Sequence, residues 1–343
     1  DGITVKWNVV AEGVRYRVFY RVKGASSWTK AADVENNSYT VKGLSSGTNY
    51  SFTVRCIDES GKFISNIAAS KNIQYVATPS IASLALTTNG MKVTWNKVSG
   101  ASKYRVLYKI SGEKSWKTVG DTTAANYTVN GLTSGKTYVF TVRCVNKAGT
   151  SFMSGLDSTG KSKRFVKAPS VSEVSNAAKG VTVKWKASSG AYKYRVLYKV
   201  SGGSWKKAGD TSSTNYTVTG LTSGKTYSFT VRCLNNAGSS FTSAYDTTGK
   251  SLLYLAMPGV SAKPASKGVK VTWTKVSGAA GYYVYRKVSG GSWTKNKPNT
   301  SQRTFSYTDT TRTSGKKYYY SVRAYKGNVM SYYKTQGVAA VAK

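Results

Sequence analysis

The sequence contains no histidine, three cysteines, five prolines and only 13 carboxylates against 51 lysines and arginines. Each scarcity removes a class of function. Without histidine, the commonest general base and the commonest nitrogen ligand for metals are both missing. The carboxylates are scattered singly, apart from the adjacent Asp58 and Glu59 and the spaced Asp33 and Glu35. Paired-carboxylate hydrolysis therefore has little raw material. No phosphate loop, catalytic-triad spacing or Cys/His metal cluster is present, so no enzyme activity and no cofactor are expected. No apolar run approaches the roughly 20 residues of a membrane-spanning helix. Neither a leader peptide nor an initiating methionine stands at the start, so the chain reads as a piece of something longer.

What is abundant is positive charge, +38 in all, and aromatic residues, with 26 tyrosines and 8 tryptophans in a chain that is 40% hydrophobic. That is enough apolar matter for packed cores and speaks against a disordered polycation. The tryptophans expose an internal repeat. "VKWN" at Trp7 recurs as "VTWN" at Trp95, "VKWK" at Trp185 and "VTWT" at Trp273. Each is followed by a second tryptophan in an "SW" pair, at Trp28, Trp116, Trp205 and Trp293. Between the two lies "YRVFY" (16–20), "YRVLY" (104–108 and 194–198) or "YYVYR" (282–286). Downstream, "YTVKGLSSGTNYSFTVRC" (39–56) returns at 127–144 and 216–233, and more loosely as "YTDTTRTSGKKYYYSVRA" at 307–324. The repeat is roughly 90 residues long, the size of a small domain.

Within each unit, short runs of β-branched and aromatic residues alternate with polar ones, and Gly/Ser/Asn/Thr clusters separate them at about ten-residue spacing. The pattern predicts antiparallel sandwiches, not helices or βαβ units. In its strand tryptophan, its "YRVxY" strand and its "GLxSGxxY" turn into a corner tyrosine (Tyr50, Tyr138, Tyr227, Tyr318), each unit resembles the fibronectin type III module. The resemblance covers the whole chain. It implies an all-β protein of four tandem fibronectin type III-like (Ig-like) antiparallel β-sandwiches in an extended array, with modules at 1–77, 78–168, 169–257 and 258–343. Pro79, Pro169 and Pro258 punctuate the junctions. The first module starts at its Trp7 strand and lacks the strand that precedes it elsewhere. In style the repeats are similar to tandem modules of surface or secreted proteins from Gram-positive gut bacteria. The fourth module departs from the others: Arg312 replaces Leu44, Leu132 and Leu221, and Arg286 replaces Tyr20, Tyr108 and Tyr198. Its turn and its "YYVYR" strand are expected to pack differently.

Period-two alternation assigns the cysteines. In "YSFTVRC", Tyr50, Phe52, Val54 and Cys56 share one face, so Cys56, Cys144 and Cys233 read as small buried hydrophobes, with Ala324 in the same slot of the fourth module. Arg55, Arg143, Arg232 and Arg323 then face outward. So do Arg17, Arg105, Arg195 and the tyrosines Tyr283 and Tyr285 of the preceding repeat element. The type III resemblance makes these two strands neighbours, which would set like charges side by side. Two readings follow. Trp28, Trp116, Trp205 and Trp293 stack between the guanidiniums as a structural cation–π ladder, or the faces, with Tyr325 added in the fourth module, form a platform for an anionic or glycan partner.

Net charge is uneven, at +4, +11, +8 and +15 along the four modules, and the last is also rich in tyrosine. The function expected is a non-enzymatic, extracellular or cell-surface binding array, monomeric, without a transmembrane segment. Its partner would be a host or environmental protein or glycan, or an anionic polymer, with nucleic acid bound only non-specifically. The alternative is a passive spacer that displays another domain.

Overall fold

The computed structural model describes residues 2–10, 14–301 and 303–343, with backbone alone over 297–301. Among them no helix forms, and the strands build antiparallel sandwiches in two compact units, one ending at Phe165 and the other beginning at Val166.

In the first unit, the first sandwich holds β1 (Ile3–Lys6), β2 (Arg15–Val22), β3 (Thr29–Val34), β4 (Ser38–Val41), β5 (Asn49–Ile57) and β6 (Lys71–Gln74). The second holds β7 (Ile81–Leu86), β8 (Gly90–Trp95), β9 (Lys103–Ile110), β10 (Lys117–Thr122), β11 (Asn126–Asn130), β12 (Thr137–Val145) and β13 (Lys161–Arg164). The second unit repeats the plan with β14 (Val171–Ala177), β15 (Gly180–Trp185), β16 (Lys193–Val200), β17 (Lys206–Thr211), β18 (Asn215–Thr219), β19 (Thr226–Leu234) and β20 (Lys250–Leu253). Its other sandwich holds β21 (Val260–Ala265), β22 (Gly268–Trp273), β23 (Gly281–Val288), β24 (Thr294–Ser301), β25 (Ser306–Asp309), β26 (Lys317–Lys326), β27 (Val329–Met330) and β28 (Val338–Val341).

The larger sheet of the second module runs β10-β9-β12-β13 and the smaller runs β11-β8-β7; the third module has the same order. In the first sandwich the smaller sheet, among the described residues, is β1-β4. Consequently Trp7 is half-buried, where Trp95, Trp185 and Trp273 are 2–5% exposed.

The repeat motifs become core and corners. Inward residues of facing sheets, such as Val93, Trp95, Tyr104, Val106, Phe140 and Val142, form one cluster per module. Phe140 is fully buried, a burial worth about 2–3 kcal/mol. The corner tyrosines Tyr50, Tyr138, Tyr227 and Tyr318 accept a backbone N–H from Ser45, Thr133, Thr222 and Thr313 at 2.8–3.2 Å. Cys144 and Cys233 are fully enclosed, and Ala324 fills the same slot. Burial pushes the Cys144 thiol up to about 11 and raises that of Cys233, so both stay protonated and unreactive near neutrality.

Within each unit the modules meet through paired Ser-Gly segments. Ser46 Oγ donates to Ser99 O (2.8 Å) and accepts from Ala77 N (3.0 Å), while Gly47 lies against Gly100. A Cβ on Gly100 would stand 2.5 Å from Gly47 Cα. Likewise Ser223 Oγ donates to Ser277 O (2.8 Å) and accepts from Ala256 N (3.0 Å), and Gly224 lies against Gly278. All four glycines have φ near +80 to +86°, a region other residues avoid.

Candidate binding face

The register brings the expected arginines together. Arg17 faces Arg55 across β2 and β5, Arg105 faces Arg143 across β9 and β12, and Arg195 faces Arg232 across β16 and β19. Like charges so placed repel. The next strand answers with an aspartate. Asp33 takes both Nε and Nη2 of Arg17 at 2.6 and 2.8 Å, Asp121 those of Arg105 at 2.7 and 2.9 Å, and Asp210 those of Arg195 at 2.8 and 2.9 Å. These forked pairs are the strong geometry for guanidinium and carboxylate. The hydrogen bonds from Arg17 hold the Asp33 carboxyl well below its ordinary range, those from Arg105 do the same for Asp121, and those from Arg195 bring Asp210 to about 2.

The second arginine of each pair is held differently. Arg55 lies 3.7 Å above the ring of Phe63, and Arg143 and Arg232 lie 3.6 Å above Phe152 and Phe241. Nε and Nη2 of each donate to one carbonyl, that of Ser65, Ser154 or Ser243, at 2.8–3.2 Å. The same serine's hydroxyl accepts the backbone N–H of Cys56, Cys144 or Cys233 at 2.8–2.9 Å. Burial lowers the pKa of Arg143 and Arg232 but leaves them charged at any physiological pH.

Two expectations are corrected. Trp28, Trp116, Trp205 and Trp293 do not lie between the facing arginines. They stack on the next basic residue along the strand: Arg21 at 4.3 Å, Lys109 at 4.9 Å, Lys199 at 4.6 Å and Lys287 at 4.8 Å. Each tryptophan stands just ahead of the neighbouring strand, level with the far end of the "YRVxY" strand, which puts it out of reach of the arginines at the other end. Nor is the outward face open. Thr53, Thr141 and Thr230 are 1–3% exposed, because the segment after the cysteine strand folds back over them. Thr53 Oγ1, for example, donates to Ala68 O at 2.8 Å. Sequence reasoning missed the phenylalanines and serines that do this. Their signal was the repeated F-x-S of Phe63–Ser65, Phe152–Ser154 and Phe241–Ser243.

The fourth module is built otherwise. Tyr283 faces Arg323 across β23 and β26 and stacks on Tyr325, with ring centroids 4.4 Å apart and planes at 21°. Lys295 Nζ lies 3.4 Å from the Tyr283 centroid. Two groups so close must occupy opposite faces of that ring. Arg323 donates through Nε alone to Ser331 O (2.9 Å), and the ring beside it is Tyr333 at 5.2 Å, the counterpart of Tyr245 at 5.1 Å from Arg232 rather than of Phe241. Tyr285 donates weakly to Met330 Sδ (4.0 Å), and Trp293 meets Tyr333 edge-on.

Residues 258–343 contain 16 lysines and arginines and one carboxylate, Asp309, which is fully buried. Asp309 stands where Val41, Val129 and Val218 stand in the other modules, and Tyr320 replaces Phe52, Phe140 and Phe229. Tyr320 donates to Asp309 Oδ2 at 2.9 Å, Arg286 Nη1 donates to the same oxygen at 3.2 Å, and Arg312 Nε sits 2.6 Å from it. The Arg312 contact is one of charge without hydrogen-bond alignment, and its Nη2 is buried without an acceptor. Burial, and then the Asp309 charge, push the Tyr320 hydroxyl far up. Arg286 and Arg312 therefore sit around one buried carboxylate, and the different packing expected of this module has that cause.

Among the described residues no group of three or more Cys, Asp or Glu could hold a metal. Among the same described residues no helix is long and apolar enough to cross a membrane.

Residues 77–160 and 167–248 match the model of the fibronectin type III domain. Exoglucanase B of Cellulomonas fimi is 29% identical over 257 residues, covering 68% of this chain and 23% of that protein. Chitinase A1 of Niallia circulans is 28% identical over 166 residues, covering 43% of this chain and 22% of that protein. The chain thus spans under a quarter of the length of these curated relatives. A two-domain fibronectin type III segment of chicken tenascin aligns over 49% of this chain and 96% of that one, at 18% identity and a TM-score of 0.27. The chain carries fibronectin type III domains in tandem.

Proposed function

We propose that the chain is a non-catalytic accessory array of an extracellular or cell-surface protein, divided near residues 77, 168 and 257, in which three modules hold position and the fourth binds an anionic macromolecule. The placement of carboxylates carries this reading. Asp33, Asp121 and Asp210 neutralise the facing arginines of the first three modules, whereas the only carboxylate of residues 258–343 is buried at Asp309. The surface cations of the fourth module therefore have no carboxylate of their own module to pair with, and a polyanion would supply the missing charge. Relatives named as an exoglucanase and a chitinase, of which the matched portion is a minor part, support an accessory role beside polysaccharides and a secreted setting. The spacer reading has its own support in the first three modules, whose arginines are already bonded to Asp and to Ser carbonyls.

The test compares charge reversals in the full chain. Lys287→Glu with Lys295→Glu should weaken binding to polyphosphate at about 0.15 M salt by tenfold or more, and Lys109→Glu with Lys117→Glu by less than about twofold. Equal losses would mean diffuse polycation attraction and would leave the spacer reading in its place.

A further inference from the structure

We infer that the third module holds a small-molecule site for a flat aromatic acid, in a cleft floored by Tyr198, Val200, Leu221 and Tyr227 and rimmed by Lys206 and Lys225. The site lies outside the anion binding proposed for the fourth module and does not depend on it. Three observations carry it.

The first is shape. The cleft has a volume of about 520 Å³, within the roughly 300–1,000 Å³ typical of ligand pockets. Tyr198 and Tyr227 line it with ring centroids 6.2 Å apart. Leu221 and Val200, which pairs with Tyr227 and is 39% exposed, complete its apolar part. Gly203 and Gly220 add no side chain to fill it.

The second is charge. Lys206 stands directly opposite Tyr198 across β16 and β17, and residues so placed take the same face of a sheet. Lys225 stands two residues before Tyr227, and its carbonyl accepts Tyr254 N at 3.0 Å. The alternation of β19 therefore reaches Lys225 and gives it the face of Tyr227. Both lysines extend on the side of the two rings, and both are exposed. Lysine stems lie along apolar surface and keep the ammonium in water, which here puts two cations at the mouth. No carboxylate lines the cleft.

The third is the small number of other polar groups. Apart from the ammoniums, the lining side chains carry only the hydroxyls of Tyr198, Ser204 and Tyr227, and that of Tyr227 already accepts Thr222 N at 3.0 Å. A pyranose, polar all round, would lose more hydrogen bonds to water than this lining returns, whereas a planar hydrocarbon ring with one acidic group matches it.

Each of the other modules changes part of the set. The first keeps the apolar residues as Tyr20, Val22, Leu44 and Tyr50 but has Thr29 and Thr48 in place of the lysines. The second keeps the lysines and puts Glu113 in the place of Gly203, since the N–H of each donates to the carbonyl three residues back, Ile110 or Val200, at 2.9 Å. The fourth has Arg286 and Arg312 in the places of Tyr198 and Leu221.

The experiment titrates the full chain with 2-naphthoate, with 2-naphthylmethanol as its neutral counterpart and galacturonate as a sugar acid, and follows the methyl NMR signals of valine and leucine. 2-Naphthoate should bind with a Kd below about 1 mM and shift the methyl signals of Val200 and Leu221. The alcohol and the sugar acid should bind at least about tenfold more weakly. Lys206→Glu with Lys225→Glu, at two exposed positions, should lower 2-naphthoate affinity by about tenfold or more. Lys263→Glu with Lys270→Glu, an equal change of net charge on exposed residues of the fourth module, should leave it within about twofold. A naphthoate Kd well above about 1 mM, equal binding of the alcohol or the sugar acid, shifts centred away from Val200 and Leu221, or equal losses in the two charge-reversed variants would overturn the inference. None of these outcomes bears on anion binding by the fourth module.

Discussion

The third and fourth modules share a backbone plan and distribute charge in opposite ways. In the third, the carboxylate Asp210 lies on the sheet face beside Arg195, and the core slots hold Val218, Leu221, Tyr198 and Phe229. In the fourth, the corresponding core slots hold Asp309, Arg312, Arg286 and Tyr320, and the face carries Tyr283 without an acid. One negative charge has in effect moved from face to core, and two arginines have gathered around it. The comparison teaches that the sandwich accepts a buried ion cluster when all its members change together, and that this exchange strips the face of its neutralising acid.

Removing one member of the cluster should break the comparison most sharply. Asp309→Val alone would leave Arg312 buried without its counter-charge and should destabilise the fourth module by about 3–5 kcal/mol. Joining Asp309→Val to Arg312→Leu, Arg286→Tyr and Tyr320→Phe should recover most of that loss, since buried ion clusters are often replaced by apolar sets without cost. Denaturant unfolding with a probe confined to this module, such as hydrogen exchange along β26, reads both variants. A single change as mild as a surface substitution would show that the cluster is not buried as described.

A smaller effect is expected on the face of the second module. Arg143→Ala removes a stacked cation and two hydrogen bonds to Ser154 O, and should cost about 2 kcal/mol. Faster exchange of the Cys144 amide, which the same serine accepts, would accompany it. Arg323→Ala, with one hydrogen bond and a more distant ring, should cost less, and equal costs would erase the distinction between the two faces.

The smallest effect is acid sensitivity. The folded-state pKa of Asp210, about 2, lies below its unfolded value of 3.8, so its stabilisation is complete above about pH 4 and is lost as pH falls toward 2. Because the pair is partly exposed and salt-screened, about 1 kcal/mol is at stake in the third module. Asp210→Asn should flatten that part of the acid unfolding curve, and raised salt should shrink it. A curve unchanged by the substitution would deny the pair any share in stability.

The sandwich was legible because it rests on local rules. Period-two alternation placed Tyr104, Val106, Phe140 and Cys144 inward, and the "GLxSGxxY" spacing placed the corner tyrosines. The facing arginines were legible once two strands were taken as neighbours. What covers them was not, because Asp121 comes from a third strand and Phe152 from a loop that returns over the sheet, and both placements depend on tertiary closure. The tryptophans were set against the wrong cation for the same reason: alternation fixes the face a side chain takes and not its position along it. In the fourth module Arg286 and Arg312 announced altered packing. Asp309 and Tyr320 passed unnoticed, since one charge in a strand means little until its neighbours across the core are known.

The Ser-Gly junctions carry a consequence for how such an array can change its length. The second, third and fourth modules each contain a Ser-Gly turn before the corner tyrosine (Ser134-Gly135, Ser223-Gly224, Ser314-Gly315) and a Ser-Gly loop after the strand tryptophan (Ser99-Gly100, Ser189-Gly190, Ser277-Gly278). Where turn meets loop, as at Ser223 and Ser277, the fit depends on one hydroxyl and on the absence of two side chains. A gene duplication that copies any of these modules therefore copies both halves of the joint. Within either unit such a copy arrives already matched at its Ser-Gly joint, so a module can be gained there without that joint having to be reinvented.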